Sequence, residues 1–238
     1  MLIYGHRGAA GEAPENTLAG FRRAVDAGVL RVELDLHLSR DEQLVVIHDP
    51  TLGRTTNGRG RVRASDAAAL QALDARRGGP GWPTPQGVPT LAQVVDSCPE
   101  IRHYQLECKS PRVRDRRLMA LRLAGFYEAR GLYARATVTS FDVEILRVIR
   151  RVDPRIPLGL AAEHARPDPV KLGLSLGVHM LALGWKLCTA ARIRAAHEAG
   201  LEVSAWTVND RERASELASR GLDSLITDLP SALAALGR

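Results

Sequence analysis

The chain has 238 residues, of which 45% are hydrophobic and 25% are charged, and its formal net charge is +6. This composition is typical of a folded globular protein and excludes a disordered chain, and no apolar run reaches membrane-spanning length. The positive charge is compatible with an anionic partner. However, the arginines are scattered and no basic stripe is interleaved with aromatic residues, so we expect no nucleic-acid binding.

Short β-rich runs alternate with helical patterns along the chain. The predicted strands are, in chain order, 2–5, 31–38, 43–47, 103–108, 136–140, 156–161, 179–183, 202–208 and 224–227. The predicted helices are 17–27, 65–73, 90–97, 113–130, 143–151, a piece between 161 and 179, 190–199, 211–220 and a last one after 227. This alternation over about eight units predicts a parallel sheet closed into a (β/α)₈ TIM barrel. An open doubly wound sheet is the alternative, which the absence of GxGxxG after the first strand disfavours.

The segment 50–89 breaks this rhythm. It contains the runs RTTNGRGR and RRGGPGWPTPQG, which are rich in glycine, proline and arginine. We interpret it as a small insertion at the C-terminal mouth of the barrel, within a single domain that spans 1–238.

The cysteines and the N-terminal residues bear on the compartment. Cys98, Cys108 and Cys188 form no CxxC pair and have no metal-ligand spacing, so we expect reduced, mostly buried thiols. The first residues lack the basic region and long apolar run of a secretion signal. A cytoplasmic protein without stable membrane insertion is therefore predicted.

Polar side chains gather where the first strands end, which is where a TIM barrel carries its chemistry. His6 and Arg7 follow the first strand, and His48 follows the strand at 43–47. Histidine suits proton transfer because its ordinary pKa lies near neutrality. We therefore expect His6 and His48 to exchange protons with a substrate.

Carboxylates occur on two of the strands. Glu33 and Asp35 are two residues apart and so face one side of their strand, and Glu107 and Lys109 repeat that spacing. The residues that alternate with the two acids along this strand are apolar and suit the helix layer, so the acids should face the barrel axis. Three converging carboxylates would repel one another and take up protons, which a hard divalent cation prevents. Oxygen ligands favour Mg²⁺ or Ca²⁺ over zinc, and Arg7 with Lys109 adds the positive charge that suits a phosphate oxyanion.

In this order, the residues resemble the glycerophosphodiester phosphodiesterase family. The matching segments are GHRG at 5–8, PENTL at 14–18, VELDLHLS at 32–39, VVIHDPTLGRTTNG at 45–58, PTL at 89–91, LECK at 106–109, TSFD at 139–142, AWTVND at 205–210 and GLDSLITDLP at 221–230. HRG alone is a weak signal, but the whole set at these spacings is highly specific and covers nearly the full chain.

The resemblance implies a TIM barrel that uses a divalent metal, Mg²⁺ or Ca²⁺, to hydrolyse small glycerophosphodiesters to glycerol 3-phosphate and an alcohol. The implied metal ligands are Glu33, Asp35 and Glu107, the implied acid/base pair is His6 and His48, and the implied phosphate-binding groups are Arg7 and Lys109. The implied supporting residues are Glu15, Asn16, Asp49 and Trp206. The resemblance leaves the headgroup, the metal, the oligomeric state and the roles of the two histidines as acid or base open.

The sequence departs from the family in a few places. Asp41-Glu42 stands where Asp-Gly is common, so the turn between two strands can differ, and Leu30-Arg31 replaces a common acidic position. The segments 74–88 and 163–191 match poorly. Headgroup preference is therefore not implied by the first, and no site residue is carried over from the second.

Several alternatives stand beside this interpretation. The nucleophile is either water or the neighbouring hydroxyl of the substrate glycerol, which would give a cyclic phosphate. A lysophospholipase D-like phosphodiesterase or a non-catalytic phosphate-binding barrel would use the same scaffold. A zinc amidohydrolase would need HxH on the first strand, whereas His6 is followed by Arg7 and Gly8.

Overall fold

Parallel strands close into a barrel in this computed structural model, which describes residues 1–109 and 112–237. The strands in the described ranges are β1 Leu2–Gly5, β2 Arg31–Leu38, β3 Leu44–Val46, β4 His103–Cys108, β5 Ala136–Ser140, β6 Leu158–Ala162, β7 Met180–Gly184, β8 Glu202–Trp206 and β9 Ser224–Thr227. All except β3 pair in parallel, and β1 pairs with both β2 and β9, which closes the barrel. The predicted TIM barrel is confirmed.

Helices surround this barrel. They are α1 Leu18–Asp26, α2 Ala67–Gln71, α3 Leu91–Ser97, α4 Arg116–Arg130, α5 Val143–Val152, α6 Pro169–Leu176, α7 Ala190–Glu198, α8 Arg211–Ser219 and α9 Pro230–Leu233. Within the described ranges, none combines the length and the apolar character needed to cross a bilayer.

Helix α5 illustrates how these helices form. The Asp142 side chain accepts hydrogen bonds from the N–H groups of Glu144 and Ile145 and so caps the first turn. Its apolar residues recur at helical spacing and are buried against the barrel, and they include Ile145 and Ile149. Truncating one such side chain to alanine typically destabilises a protein by about 2–5 kcal/mol.

The alternation on β2 orients the candidate ligands. Leu34 and Leu36 are fully buried in the main apolar core, which the barrel strands share with the surrounding helices. Glu33 and Asp35 face the opposite side of the strand and are also buried, at 4% and 1% exposure. Their predicted inward orientation is confirmed by their approach to Glu107 on β4.

The segment 50–89 begins after β3, which pairs antiparallel with the last residues of β2. A second, smaller apolar cluster holds this region together, and its members are Val45, Ile47, Leu52, Val62, Ala67, Leu70, Ala75 and Val88. Because β3 lies at the C-terminal end of β2, the segment is anchored beside the barrel mouth.

The turn between β2 and β3 contains the departure at Glu42. This residue has a φ of 64°, in the left-handed region that favours glycine. Its carboxylate pairs with Arg122 of α4 at the surface. A side chain in this conformation costs about 1–2 kcal/mol.

We expect Glu42→Gly to give a higher free energy of unfolding than Glu42→Ala, by about 1 kcal/mol. Both variants lose the ion pair with Arg122, but only glycine is relieved of the left-handed strain. Chemical denaturation of the two variants measures the difference. Equal free energies of unfolding would show that this turn carries no such strain.

Candidate active site

Three carboxylates, two of them buried and one half-buried, converge at the mouth of the barrel. Asp35 of β2 lies directly across from Glu107 of β4 in the strand register, and Glu33 lies two residues before Asp35. One carboxylate oxygen from each residue lies within 4.8 Å of the corresponding oxygens of the other two. This spacing lets the three side chains bind one ion together.

The electrostatics of this cluster favour a cation. Burial and the nearby charge of Asp35 raise the pKa values of Glu33 and Glu107. Burial also opposes ionisation of Asp35, but Lys109 and Arg7 outweigh it and hold the Asp35 pKa well below its usual range. Lys109 Nζ lies 2.7 Å from Asp35 Oδ1, and Arg7 Nε lies 3.2 Å from Asp35 Oδ2. An all-oxygen donor set fits a hard divalent ion such as Mg²⁺ or Ca²⁺. The charge of such an ion would also offset the cost of ionising Glu33 and Glu107.

His6 is held between two carboxylates. Its Nδ1 is 2.6 Å from Asp228 Oδ1, and its Nε2 is 3.8 Å from Glu33 Oε2. Burial alone would lower the His6 pKa, but the Asp228 hydrogen bond and the Glu33 charge outweigh it and raise the pKa. Asn209 donates to the other Asp228 oxygen at 2.7 Å, which fixes that carboxylate. The His6 ring is thus oriented through Nδ1.

His48 is oriented in the same way by its neighbour in sequence. Its Nδ1 lies 2.6 Å from Asp49 Oδ1. Arg54 donates from Nε to Asp49 at 2.7 Å and reaches both oxygens of Glu15, at 2.8 and 2.9 Å. The Arg54 hydrogen bonds lower the pKa of Asp49 to about 2, and the His48 contact adds to this. Arg7 also donates to Glu15, at 2.9 Å, so a continuous polar chain joins His48 to Arg7.

The loop after β1 supports the cluster from behind. Arg7 and Asn16 have φ values of 49° and 56°, and Arg7 accepts a backbone hydrogen bond from Asn16 at 2.9 Å. The Asn16 amide donates to Asp35 Oδ2 at 2.7 Å, and the Arg7 backbone N–H donates to Glu33 at 3.1 Å. Backbone strain of this kind persists where surrounding contacts fix it, as they do here.

These groups border one cavity of about 260 Å³. Its lining residues are His6, Arg7, Glu33, His48, Gln105, Glu107, Lys109, Thr139, Phe141, Ala161, Glu163, Ala182, Trp206, Thr207 and Ile226. The structure therefore brings both histidines, both cations, two of the three acids and Trp206 to one space. Asp35 and the supporting Glu15, Asn16 and Asp49 are not part of this lining but contact residues that are.

Sequence reasoning missed several residues of this site. Asp228 and Arg54 lie inside the matched segments 221–230 and 45–58, so the resemblance marks both positions. Neither residue type at its spacing indicates a role by itself. Phe141 lies in the matched TSFD segment and contacts Trp206 edge-to-face, with ring centroids 5.6 Å apart. Glu163 follows a predicted strand, at 156–161, which is a position typical of site residues in a barrel, but it begins the weakly matched segment 163–191 and so carries no implied role.

Comparison with known proteins agrees with this geometry. The model of the glycerophosphoryl diester phosphodiesterase family matches residues 6–232. The chain belongs to this family. It is therefore identified as a phosphodiesterase.

Individual relatives extend over the same length. A glycerophosphodiester phosphodiesterase of Caldanaerobacter subterraneus subsp. tengcongensis is 29% identical, over 100% of this chain and 98% of the relative. The crystal structure of a glycerophosphodiester phosphodiesterase from Agrobacterium tumefaciens is 27% identical, covers 99% of both chains and has a TM-score of 0.85. A phosphodiesterase of Oleispira antarctica, solved in complex with the product sn-glycerol-3-phosphate, shares the fold at 24% identity and a TM-score of 0.87, covering 99% of this chain and 96% of its own.

The carboxylate cluster generates a prediction about stability. In EDTA and above about pH 8, where Glu33 ionises despite its raised pKa, we expect Glu33→Gln to have a higher free energy of unfolding than the wild type, because it removes one of three mutually repelling charges. Mg²⁺ or Ca²⁺ at about 100 times its Kd should stabilise the wild type by about 2.7 kcal/mol and the variant much less. Thermal and chemical unfolding with and without metal measure both effects.

The matched control is Glu198→Gln, which makes the same change at an exposed position of α7. The pKa of Glu33 is higher in the folded chain than in the unfolded chain, so the unfolded chain releases this proton at a lower pH. The wild type in EDTA should therefore lose stability as the pH rises above the usual range of a glutamate. Identical metal responses in the wild type and Glu33→Gln would contradict a metal site at this cluster.

Proposed function

We propose that this phosphodiesterase hydrolyses glycerophosphodiesters to glycerol 3-phosphate and an alcohol, using one divalent cation, Mg²⁺ or Ca²⁺, and the acid/base pair His6 and His48. The observation that carries the proposal is the convergence on one cavity of two carboxylate-oriented histidines and the three-carboxylate cluster. Family membership supports the reaction class.

The phosphate is bound by positive charge on several sides. Glu33, Asp35 and Glu107 would hold the cation, which when bound would supply Lewis-acid stabilisation of negative charge on the phosphate oxygens. Arg7 and Lys109 line the same cavity and bind the phosphate oxygens directly. Such fixed charges stabilise the transition state more than the substrate, because charge on the oxygens increases during attack.

The histidines move the protons. Asp228 and Asp49 engage the two Nδ1 atoms, which fixes each ring and leaves Nε2 for proton transfer. One histidine takes the proton of the nucleophile as its oxygen bonds to phosphorus. The other protonates the alcohol oxygen as its bond to phosphorus breaks.

Two nucleophiles are compatible with this arrangement. Water gives glycerol 3-phosphate directly, and the neighbouring glycerol hydroxyl gives a cyclic phosphate that is then opened. Proximity favours the hydroxyl, since effective molarities of oriented groups reach about 10⁵ M or more. A substrate without that hydroxyl distinguishes the two routes.

Supporting residues keep these groups in position. Asn16 orients Asp35, and Glu15 connects Arg7 with Arg54. Asp49 orients His48. Trp206 forms part of the cavity wall and donates from its indole N–H to the Ala182 carbonyl at 3.0 Å, which fixes the ring.

Replacement of His6 or His48 by alanine should lower kcat for glycerophosphocholine by about 10²-fold or more, because each removes one proton transfer. Release of glycerol 3-phosphate measures the rate, and circular dichroism checks the fold. His197→Ala is the matched control, since this histidine lies on α7 and contacts Asp223 outside the site. Near wild-type turnover in both site variants would refute the acid/base assignment.

Replacement of Asp228 or Asp49 by asparagine should lower kcat by about tenfold or more while KM changes little. An amide in place of the carboxylate leaves the ring in contact but no longer selects the tautomer with a proton on Nδ1. Steady-state kinetics separate the two parameters. A change confined to KM would instead assign these residues to substrate binding.

The reaction class itself is tested by comparing substrates. We expect glycerophosphocholine to turn over faster than lysophosphatidylcholine, because a cavity of about 260 Å³ has no room for the acyl chain that the lysolipid carries on its glycerol. Choline release from both substrates gives the ratio. Faster turnover of the lysolipid would favour a lysophospholipase D-like activity.

A further inference from the structure

A second cavity of about 250 Å³ continues the active-site cavity. The two cavities share three lining residues, Glu163, Trp206 and Thr207. Gly184, at the end of β7, lies in the wall between the ends of β6 and β8. Gly184 pairs with Trp206 in the strand register, and a Cβ at this position would lie 3.8 Å from the Cα of Glu163, so the glycine places no side chain between Glu163 and Trp206.

The two cavities suit the two arms of a glycerophosphodiester, which are the glycerol and the alcohol on either side of the phosphate. Each is smaller than the roughly 300 Å³ at the lower end of typical small-molecule sites, so a substrate with two arms needs both. Gln105 and Thr139 line the inner cavity and offer neutral polar groups for the hydroxyls of glycerol. The alcohol arm then extends past Glu163 and Trp206 toward the outer cavity.

The wall beside this arm combines a carboxylate with aromatic rings. Phe141 is 44% exposed and packs edge-to-face on Trp206. Glu163 is exposed, and in 1–109 and 112–237 no hydrogen bond or ion pair engages its carboxylate. Glu33 and Glu107, the other acids of the inner lining, belong to the carboxylate cluster. Glu163 is therefore available to a ligand.

Lys186 lines the outer cavity, but it and Arg213 lie against Trp185 and not against Phe141 or Trp206. Arg213 lies over the Trp185 ring, 4.5 Å from its centroid, and Lys186 lies 5.8 Å from the same centroid. Trp185 is thus already engaged by cations, whereas Phe141 and Trp206 contact each other. Aromatic rings beside a carboxylate attract alkylammonium groups through cation–π and charge interactions.

We propose that Glu163, with Phe141 and Trp206, binds the ammonium group of the alcohol arm. The enzyme then prefers glycerophosphodiesters of amino alcohols, such as choline or ethanolamine, over those of neutral alcohols. This specificity rests on the proposed function, since it concerns the leaving alcohol of the same reaction.

The test compares kcat/KM for glycerophosphocholine, whose headgroup is cationic, with kcat/KM for glycerophosphoglycerol, whose headgroup is neutral. We expect the wild type to favour the choline substrate, and Glu163→Gln to reduce this preference by about three- to tenfold, mainly through KM. Glu163→Lys should reduce it further, and high salt should weaken the wild-type preference. Glu198→Gln is the matched control and should keep the wild-type ratio.

Each outcome bears on one of the two proposals. Turnover of both substrates with the same ratio in the wild type, Glu163→Gln and Glu163→Lys would overturn the headgroup site and leave the proposed function standing. Release of glycerol 3-phosphate from neither substrate by the wild type would overturn both. A wild-type preference for the neutral headgroup would also contradict the ammonium site.

Discussion

Repulsion among three carboxylates, two of them buried and one half-buried, is the constraint on which the rest of this site depends. The alternation of β2 sends apolar side chains to the helix layer and therefore sends Glu33 and Asp35 toward the axis, where Glu107 meets them. In a poorly solvated interior this arrangement is unfavourable unless positive charge is close. Lys109 and Arg7 supply part of it, and a divalent cation would supply the rest. The same repulsion that disfavours the metal-free cluster would be relieved by an ion bound among the three carboxylates.

The barrel and its insertion each orient one histidine. Gly5 pairs with Thr227 where β1 meets β9, so the next residues, His6 and Asp228, are adjacent although 222 positions separate them. His48 is oriented by Asp49, which Arg54 of the segment 50–89 fixes. Closure of the sheet and folding of the insertion are therefore both required before the two rings face one cavity.

The sequence predicted local features better than contacts that depend on closure. The predicted bounds of β2, β4, β5 and β9 agree residue for residue with the structure, at 31–38, 103–108, 136–140 and 224–227. Buried strands between turn residues have a clear sequence pattern. The helix predicted from 113 begins at Arg116, after a single 3₁₀ turn, and the strand predicted to 208 ends at Trp206. The Asp228 contact with His6 follows from barrel register, which no local pattern encodes. Glu163 follows a predicted strand but lies in a weakly matched segment, and its place in the cavity wall depends on the fold of the whole barrel.

The most direct test of the account is release of glycerol 3-phosphate from glycerophosphocholine and glycerophosphoethanolamine, assayed in EDTA and again after Mg²⁺ or Ca²⁺ is restored. We expect loss of activity in EDTA and its recovery with a divalent ion, because the carboxylate cluster would bind the phosphate through that ion. Full activity in EDTA, or no glycerol 3-phosphate with any metal, would contradict it.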